Sequence, residues 1–324
     1  MHKLNHKATS GSIKPDNAKK IAEAIINIKL PTRKDIAKHA DVSEMTVCRA
    51  LAILDESGFI EERAADNQHI SKLRITPDPS LSFIVIDVND PDYCAYLLSA
   101  DSTLIEEHRH TFNPTLDADQ NLSICLDRAK MKFSLKANGF SGVGVIFNDE
   151  SYSDPNICRA IEESLECPIT ATMTEKDCIS SLRGSSIDSH FPCDSMYYLN
   201  IGNNNLAYFI NKDCIIKSNP SILVDASGKT CGDLISSCIT PEQAYEIIYN
   251  IINSASAMLD PQLFIVESDR FILGKSTGAI LSERLKLSIN DKRRLLISDA
   301  RPSYKIKGAL ITLQKEIIKS ILSK

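Results

Sequence analysis

Hydrophobic residues recur every three or four positions in three short segments of the first sixty residues. Ile21, Ile25 and Ile28 share one helical face, and a second segment carries Ile36. The apolar positions of the third segment are Val47, Ala50, Leu51 and Leu54. This spacing predicts three short amphipathic helices, each with one buried face.

Residues typical of helix ends delimit the second and third segments. Thr32 is a suitable N-cap, with Asp35 three residues later in the place of a capping-box acid. Ser43 is placed to cap the third helix, and Gly58 follows its last apolar position. The sequence therefore predicts helix, turn, helix between residues 32 and 58.

The stretch FIEERAADNQHISKLRIT after Gly58 predicts strand, polar turn around Asp66-Asn67, and strand. Leu73 and Ile75 fall on one side of the second strand. Three helices followed by a β-hairpin predict a winged helix-turn-helix over residues 1–76. The proline-punctuated TPDPS then predicts a boundary, with a linker at 77–80.

Residues 81–324 contain the same order of elements twice. Three strands, predicted at 82–88, 93–99 and 103–111, precede alternating helices and strands, and apolar runs at 197–202, 205–210 and 214–216 begin a similar series. This order predicts an α/β fold in two lobes, a duplicated actin-like ATPase (ribonuclease H-like) architecture.

Charge divides unevenly along the chain, which has a net charge of −5. Residues 1–76 contain 13 Lys and Arg against 10 Asp and Glu, whereas residues 77–324 contain 24 against 32. Any contact with nucleic acid is therefore expected in the N-terminal quarter. No signal peptide, membrane span or CxxC pair is recognisable, so a cytoplasmic location with reduced cysteines is expected.

Polar side chains lie on the third predicted helix away from its apolar stripe. Ser43, Glu44, Thr46 and Arg49 occupy its first turns, and the N-terminal residues of such a helix contact base edges in the major groove. Arg49 suits guanine or a phosphate, and Glu44 suits a cytosine amine. The alternative is a solvated face on a small helical domain used for protein contact.

Phosphate contacts are predicted on both sides of this helix. Thr32 and Arg33 begin the second helix, where free backbone N–H groups favour an anion. The predicted hairpin adds Arg63, Lys72 and Arg74.

The segment DIAKHADVSEMTVCRALAILDESGFIEE resembles the DNA-binding domains of bacterial repressors. Joined to the two-lobed α/β region, it resembles the ROK family, which contains sugar-responsive repressors and sugar kinases. The resemblance covers nearly the whole chain. It implies a DNA-binding domain joined to a sugar-kinase-like domain.

Both phosphate-binding turns of the family's kinases are altered. The first, DVNDPD, keeps Asp87 but lacks the glycines, and Asp90 and Asp92 add negative charge; the second, IGNNNLA, keeps only Gly202. Without glycine the backbone cannot approach a phosphate closely. We therefore expect no phosphoryl transfer and no nucleotide cofactor.

The sugar and metal motifs of the family are altered as well. PITATMTEKDCIS places Asp177 at the position of the family's catalytic base, with Glu175 before it. Beside a sugar hydroxyl such a carboxylate serves as a base or only as a hydrogen-bond acceptor, so Glu175 and Asp177 are candidate ligand-binding residues. An ordinary helix-start aspartate explains Asp177 equally well. SNPSILVDASG lacks the family's sugar-binding glutamate and histidine.

The family's structural zinc motif survives only in part. TCGDLISSC keeps Cys231 and Gly232, Cys238 is displaced, and Lys229 takes the first ligand position. Two thiolates do not complete a tetrahedral zinc site, so no metal is predicted.

The sequence thus predicts a DNA-binding transcriptional regulator, expected to be a repressor, with a non-catalytic ROK-like domain. The predicted partners are double-stranded DNA with an inverted repeat, a second copy of the chain in a homodimer or dimer of dimers, and a small-molecule effector. The alternatives are a carbohydrate kinase with a regulatory N-terminus and a protein-interaction module without either activity.

Overall fold

The described residues of the computed structural model cover most of the chain. They are 13–64, 73–89, 92–137, 139–147, 154–185, 193–201, 206–218, 240–268, 275–285, 294–298 and 302–324, with 230, 234, 238 and 273. The chain forms two compact units. The first comprises the described residues up to Cys178 and then Ala309–Lys324; the second comprises most of those between Ile179 and Gly308.

Three helices and an antiparallel strand pair begin the first unit. The helices are α1 (Pro15–Asn27), α2 (Arg33–Ala40) and α3 (Glu44–Glu56), and the strands are β1 (Ile60–Ala64) and β2 (Leu73–Pro77). The predicted elements are thus present, except that Ile28 is not helical. It is the extended residue that ends α1, so of the three predicted isoleucines only Ile21 and Ile25 lie on the buried face of the helix, together with Ala18, Ala22, Ala24 and Ile26.

A five-stranded sheet follows in the same unit, with strand order β5-β4-β3-β6-β7. Its strands are β3 (Ser82–Asn89), β4 (Asp92–Ser99), β5 (Leu104–Thr111), β6 (Gly142–Phe147) and β7 (Ile169–Thr174). β3, β4 and β5 are antiparallel neighbours, whereas β6 and β7 run parallel to β3. One face of this sheet packs on α4 (Ala118–Ser134) and α5 (Pro155–Leu165). A short helix, α6 (Glu175–Leu182), follows β7.

The second unit contains a sheet of the same construction, with strand order β10-β9-β8-β11-β12. Its strands are β8 (Met196–Ile201), β9 (Leu206–Ile210), β10 (Ile215–Ser218), β11 (Leu263–Ser268) and β12 (Arg294–Ser298). Again three antiparallel strands precede two parallel ones. One face packs on α7 (Pro241–Leu259) and α8 (Lys275–Arg284). The two sheets therefore have equivalent strand orders and directions, in mixed sheets typical of an α/β protein.

The last helix, α9 (Tyr304–Ser323), begins at a buried carboxylate in the second unit. Glu267 accepts hydrogen bonds from the backbone N–H of Tyr304 at 2.6 Å and from the hydroxyl of Tyr198 at 2.9 Å. Burial raises the pKa of Glu267. A carboxylate at this position satisfies a backbone donor that the helix itself leaves without a partner.

Further along, α9 covers the second face of the first sheet. The side chains of Leu313 and Ile317 lie against Gly144 and Gly142 of β6. The amide of Gln314 donates to the carbonyl of Ala100 at 2.8 Å. The two glycines leave room that any larger side chain would occupy, so the helix approaches the strand closely.

This close approach gives a testable double substitution. A Cβ atom at position 142 would lie 2.7 Å from Cδ1 of Ile317, so Gly142→Ala is expected to cost about 1–2 kcal/mol by overpacking. Ile317→Val alone is expected to cost about 0.5–1.5 kcal/mol. Because valine lacks the clashing Cδ1 atom, the double variant should lose less than the two costs combined. Urea unfolding measures all three, and additive costs would contradict this packing.

Candidate nucleic-acid interface

Capping contacts fix the start of α2 and the turn that joins α2 to α3. Thr32 caps α2: its hydroxyl accepts from the backbone N–H of Asp35 at 3.2 Å, and the Asp35 carboxylate accepts from the backbone N–H of Thr32 at 2.8 Å. Asp41 ends α2 in the left-handed conformation, with φ of 51°. Ser43 then caps α3 by accepting from the backbone N–H of Thr46 at 3.2 Å. The predicted caps are confirmed.

Helix α3 has one buried and one exposed face. Its buried residues are Val47, Ala50, Leu51 and Leu54. Glu44, Met45 and Cys48 are exposed, and Arg49 is half-buried. With 3.6 residues per turn, Met45 lies almost opposite the centre of the buried stripe, followed one turn later by Arg49. These side chains form the outward face of α3.

The structure brings four predicted residues together at the beginning of this helix. Ser43 and Glu44 are exposed, and Thr46 is half-buried beside them. The hydroxyls of Ser43 and Thr46 lie 2.9 Å apart and share a hydrogen bond. Glu44 and Arg49 therefore provide the charged groups of this face, while the two hydroxyls also hold the helix end.

Arg33 has a structural contact that the sequence did not indicate. Its guanidinium donates to both carboxylate oxygens of Glu62, at 2.8 and 2.9 Å, and lies 3.8 Å from the sulfur of Cys48. Burial opposes the charge of Arg33, but the contact with Glu62 leaves its pKa raised. The pair joins the start of α2 to β1, so a phosphate at Arg33 would compete with Glu62.

The cationic residues predicted in the hairpin are only partly described. Arg63 on β1 lies opposite Arg74 on β2 in the antiparallel register. Lys72 lies outside the described residues. The pairing places the backbones of Arg63 and Arg74 side by side, each one residue from its strand end, at Ala64 and Leu73 respectively.

Met45 lies on the outward face of α3 as well, where the sequence indicated only polar residues. The side chain is 82% exposed. The available signal was its position: a large apolar residue two places after a serine cap and off the stripe formed by the buried positions of α3.

The second candidate site, at the end of β7, has a helix-capping arrangement. The Asp177 carboxylate accepts from the backbone N–H and the hydroxyl of Thr174, at 2.9 and 2.7 Å, and Thr174 accepts from the backbone N–H of Asp177. Glu175 is half-buried in the same first turn of α6. This geometry accounts for Asp177 as a helix-start residue, as the alternative interpretation of the sequence had it.

The structure also bears on a metal site, on the cysteines and on a membrane span. Among the residues described, no group of three His, Cys, Asp or Glu side chains could hold a metal ion. The described cysteines are free thiols. The zinc-motif positions 229, 231 and 232, like Gly202 and Asp90 of the two phosphate turns, lie outside the described residues. No helix in the part of the chain that is described is long and apolar enough to span a membrane.

Comparison with solved structures identifies the fold. A ROK family transcriptional regulator, a homologue of the E. coli Mlc protein, is similar with a TM-score of 0.59 at 11% identity, over 95% of this chain and 98% of that one. An inorganic polyphosphate/ATP-glucomannokinase from Arthrobacter sp. strain KM has a TM-score of 0.49 at 15% identity, over 72% of this chain and 98% of its own. A ROK family glucokinase from Streptomyces griseus has a TM-score of 0.45 at 11% identity, over 70% and 97%.

No protein-family model matches the sequence, and no curated protein is significantly similar to it. The likeness is therefore one of fold. The chain has the fold of a ROK family transcriptional regulator, and the resemblance that the sequence indicated is confirmed at that level.

Proposed function

We propose that this protein is a DNA-binding transcriptional regulator, a repressor, in which the outward face of α3 contacts bases in the major groove. The observation that carries the proposal is the geometry of α3. A capped turn follows α2, and the first turns of α3 present Glu44, Met45 and Arg49 away from the core. In a helix-turn-helix, the helix that follows the turn contacts base edges with the residues of its first turns. In this protein that helix is α3.

Two further observations support the proposal. The solved structure that matches 95% of this chain is described as a transcriptional regulator. The excess of positive charge in residues 1–76, against the negative remainder, favours contact with phosphates in that part of the chain. In this proposal residues 1–76 are a winged helix-turn-helix domain, 77–80 a linker, and 81–324 a duplicated actin-like domain.

The large domain has a binding and assembly role in this proposal, without catalysis. Both glycine-rich phosphate turns are altered in the sequence, and Asp177 takes part in a helix cap. Two copies of the chain would associate through residues 81–324 and place two α3 helices on an inverted repeat. A small-molecule effector would bind in the same region, and the protein would act in the cytoplasm.

The test of this proposal is Arg49→Ala. Duplexes are selected from a random pool with the wild-type protein, and affinity is measured at two salt concentrations. Loss of a base contact is expected to cost about 1–3 kcal/mol and to relax preference at one position. Loss of a phosphate contact would instead weaken every sequence alike and lower the salt slope by about one.

The matched control is Arg159→Ala, which removes an exposed arginine from α5. It should bind the selected duplexes as the wild type does. If Arg49→Ala melts normally and binds with unchanged affinity, the outward face of α3 is not the DNA-contacting surface. If the wild-type protein selects no duplex, the proposed function itself is wrong.

Phosphoryl transfer distinguishes this proposal from the carbohydrate-kinase alternative. Because backbone without glycine cannot approach phosphates closely, ADP production from ATP should not increase when hexoses or amino sugars are added. A coupled ADP assay with the full chain measures this. Sugar-dependent ADP production that disappears in Asp177→Asn would restore the kinase interpretation.

A further inference from the structure

The side chain of Met45 is among the most exposed large apolar groups of the described chain, at 82%. A single exposed apolar residue is common on protein surfaces and by itself indicates nothing. The position of Met45, however, is specific: it lies in the first turn of α3, at the centre of the outward face.

The neighbours of Met45 on this face are two charged side chains and one thiol. Glu44 precedes it, and Cys48 and Arg49 follow at the spacing of one helical turn. Val47 and Leu51 lie on the opposite side of the helix, where they are buried. Met45 therefore cannot join the core without rotating α3, and it contributes a large apolar group to a surface whose charged side chains are Glu44 and Arg49.

The edges of the bases determine what an apolar group can recognise in the major groove. Every base presents hydrogen-bond donors or acceptors there, and the C5 methyl group of thymine is the apolar feature. Methionine is unbranched, with a polarizable thioether, and it adapts its shape to small apolar surfaces. A thymine methyl is thus the natural partner for this side chain.

We infer that Met45 is a specificity-determining residue that contacts the C5 methyl group of a thymine. The inference rests on the proposed function, and it adds one identified chemical preference. The operator contains a thymine at a fixed distance from the base pair or phosphate that Arg49 contacts, because both side chains project from the same face of one helix. Desolvation of the methyl group and of the thioether favours the contact.

The experiment replaces thymine by deoxyuridine, one position at a time, in a duplex selected with the wild-type protein. This change removes the methyl group and keeps every hydrogen-bonding atom. At one position in each half-site the wild-type affinity should fall about three- to tenfold. Met45→Gln, of similar length but polar, should bind the thymine duplex more weakly and should not distinguish it from the deoxyuridine duplex.

Two control variants accompany this measurement. Met131→Ala removes another exposed methionine, 68% exposed on α4, and should retain the wild-type response to deoxyuridine. Arg49→Ala should bind more weakly but remain sensitive to the methyl group. A thermal melt of each variant checks that the fold is intact.

The outcomes separate this inference from the proposed function. If the wild type binds selected duplexes but tolerates deoxyuridine at every position, the Met45 contact is wrong and the DNA-binding function stands. The same holds if Met45→Gln still distinguishes the two duplexes. If the wild-type protein prefers no duplex, both the proposed function and the contact are overturned.

Discussion

Leu51→Ala is expected to lower the free energy of unfolding by about 2–5 kcal/mol, because it empties part of a closely packed core. Leu51 is only 2% exposed and lies on the buried face of α3 beside Ala50 and Leu54. The core formed by the N-terminal helices is small. Few neighbouring side chains can therefore move into the cavity that the substitution leaves. Urea unfolding, followed by circular dichroism, measures the loss.

The matched control for Leu51→Ala makes the same chemical change at the surface. Leu135, which ends α4, is 83% exposed, so Leu135→Ala should change the unfolding free energy by less than about 0.5 kcal/mol. At temperatures where Leu51→Ala remains folded, its affinity for DNA should stay near that of the wild type. Equal losses in the two variants would contradict the assignment of Leu51 to the core.

Lys315→Met is expected to stabilise the protein at pH 7. Burial lowers the pKa of Lys315 to about 8, although Glu23 on α1 opposes that decrease. At pH 7 the folded protein therefore holds a charge that water solvates better in the unfolded chain. Since one pKa unit corresponds to about 1.4 kcal/mol, we expect a gain of about 1–3 kcal/mol in the variant.

The pH dependence of this difference has a definite sign. Above pH 8 the folded protein releases the proton of Lys315, while the unfolded chain keeps it until about pH 10.4. Within this window the unfolded state binds more protons, so the contribution of Lys315 to stability rises with pH. The advantage of Lys315→Met over the wild type should therefore shrink between pH 8 and pH 10.

Lys319→Met serves as the control for the pH series. Lys319 is paired with Glu316 on the same helix at 3.0 Å, and its side chain is 42% exposed. Its substitution should change stability little, by about 0.5 kcal/mol or less at either pH. Urea midpoints at pH 7 and pH 9.5 measure all three proteins. A Lys315→Met protein less stable than wild type at pH 7 would show that the attraction of Glu23 outweighs the cost of burial.

Local signals in the sequence predicted the ends of α2, the start of α3 and the succession of strands along the chain. Thr32, Asp35 and Ser43 act within four residues of their partners, so their capping contacts follow from sequence spacing. The strands of both sheets were recognisable because apolar runs are bounded by polar turns, as at β3 and β8. Such features depend on neighbouring residues, and a sequence displays neighbours directly.

Contacts between distant residues could not be predicted in the same way. Arg33 and Glu62 are 29 positions apart, and the sequence gives no reason to pair them in preference to other charges. The close packing of Ile317 on Gly142 also depends on how the chain returns to the first sheet. Met45 was not among the predicted residues of the outward face, because only polar side chains indicated that face in the sequence.

The last helix of the chain packs in the same compact unit as the first described residues, and this arrangement has a consequence while the protein is being synthesised. The backbone N–H of Ile13 donates to the carbonyl of Leu322 at 3.0 Å, and Ala309–Lys324 belong to the same compact unit as the residues before Cys178. Leu313 and Ile317 of α9 cover one face of the sheet formed by β3–β7, and α9 is translated after all of these strands. Until α9 has been made, that face of the sheet has no cover from this helix. During that interval the nascent chain exposes a surface prone to aggregation and suited to a chaperone.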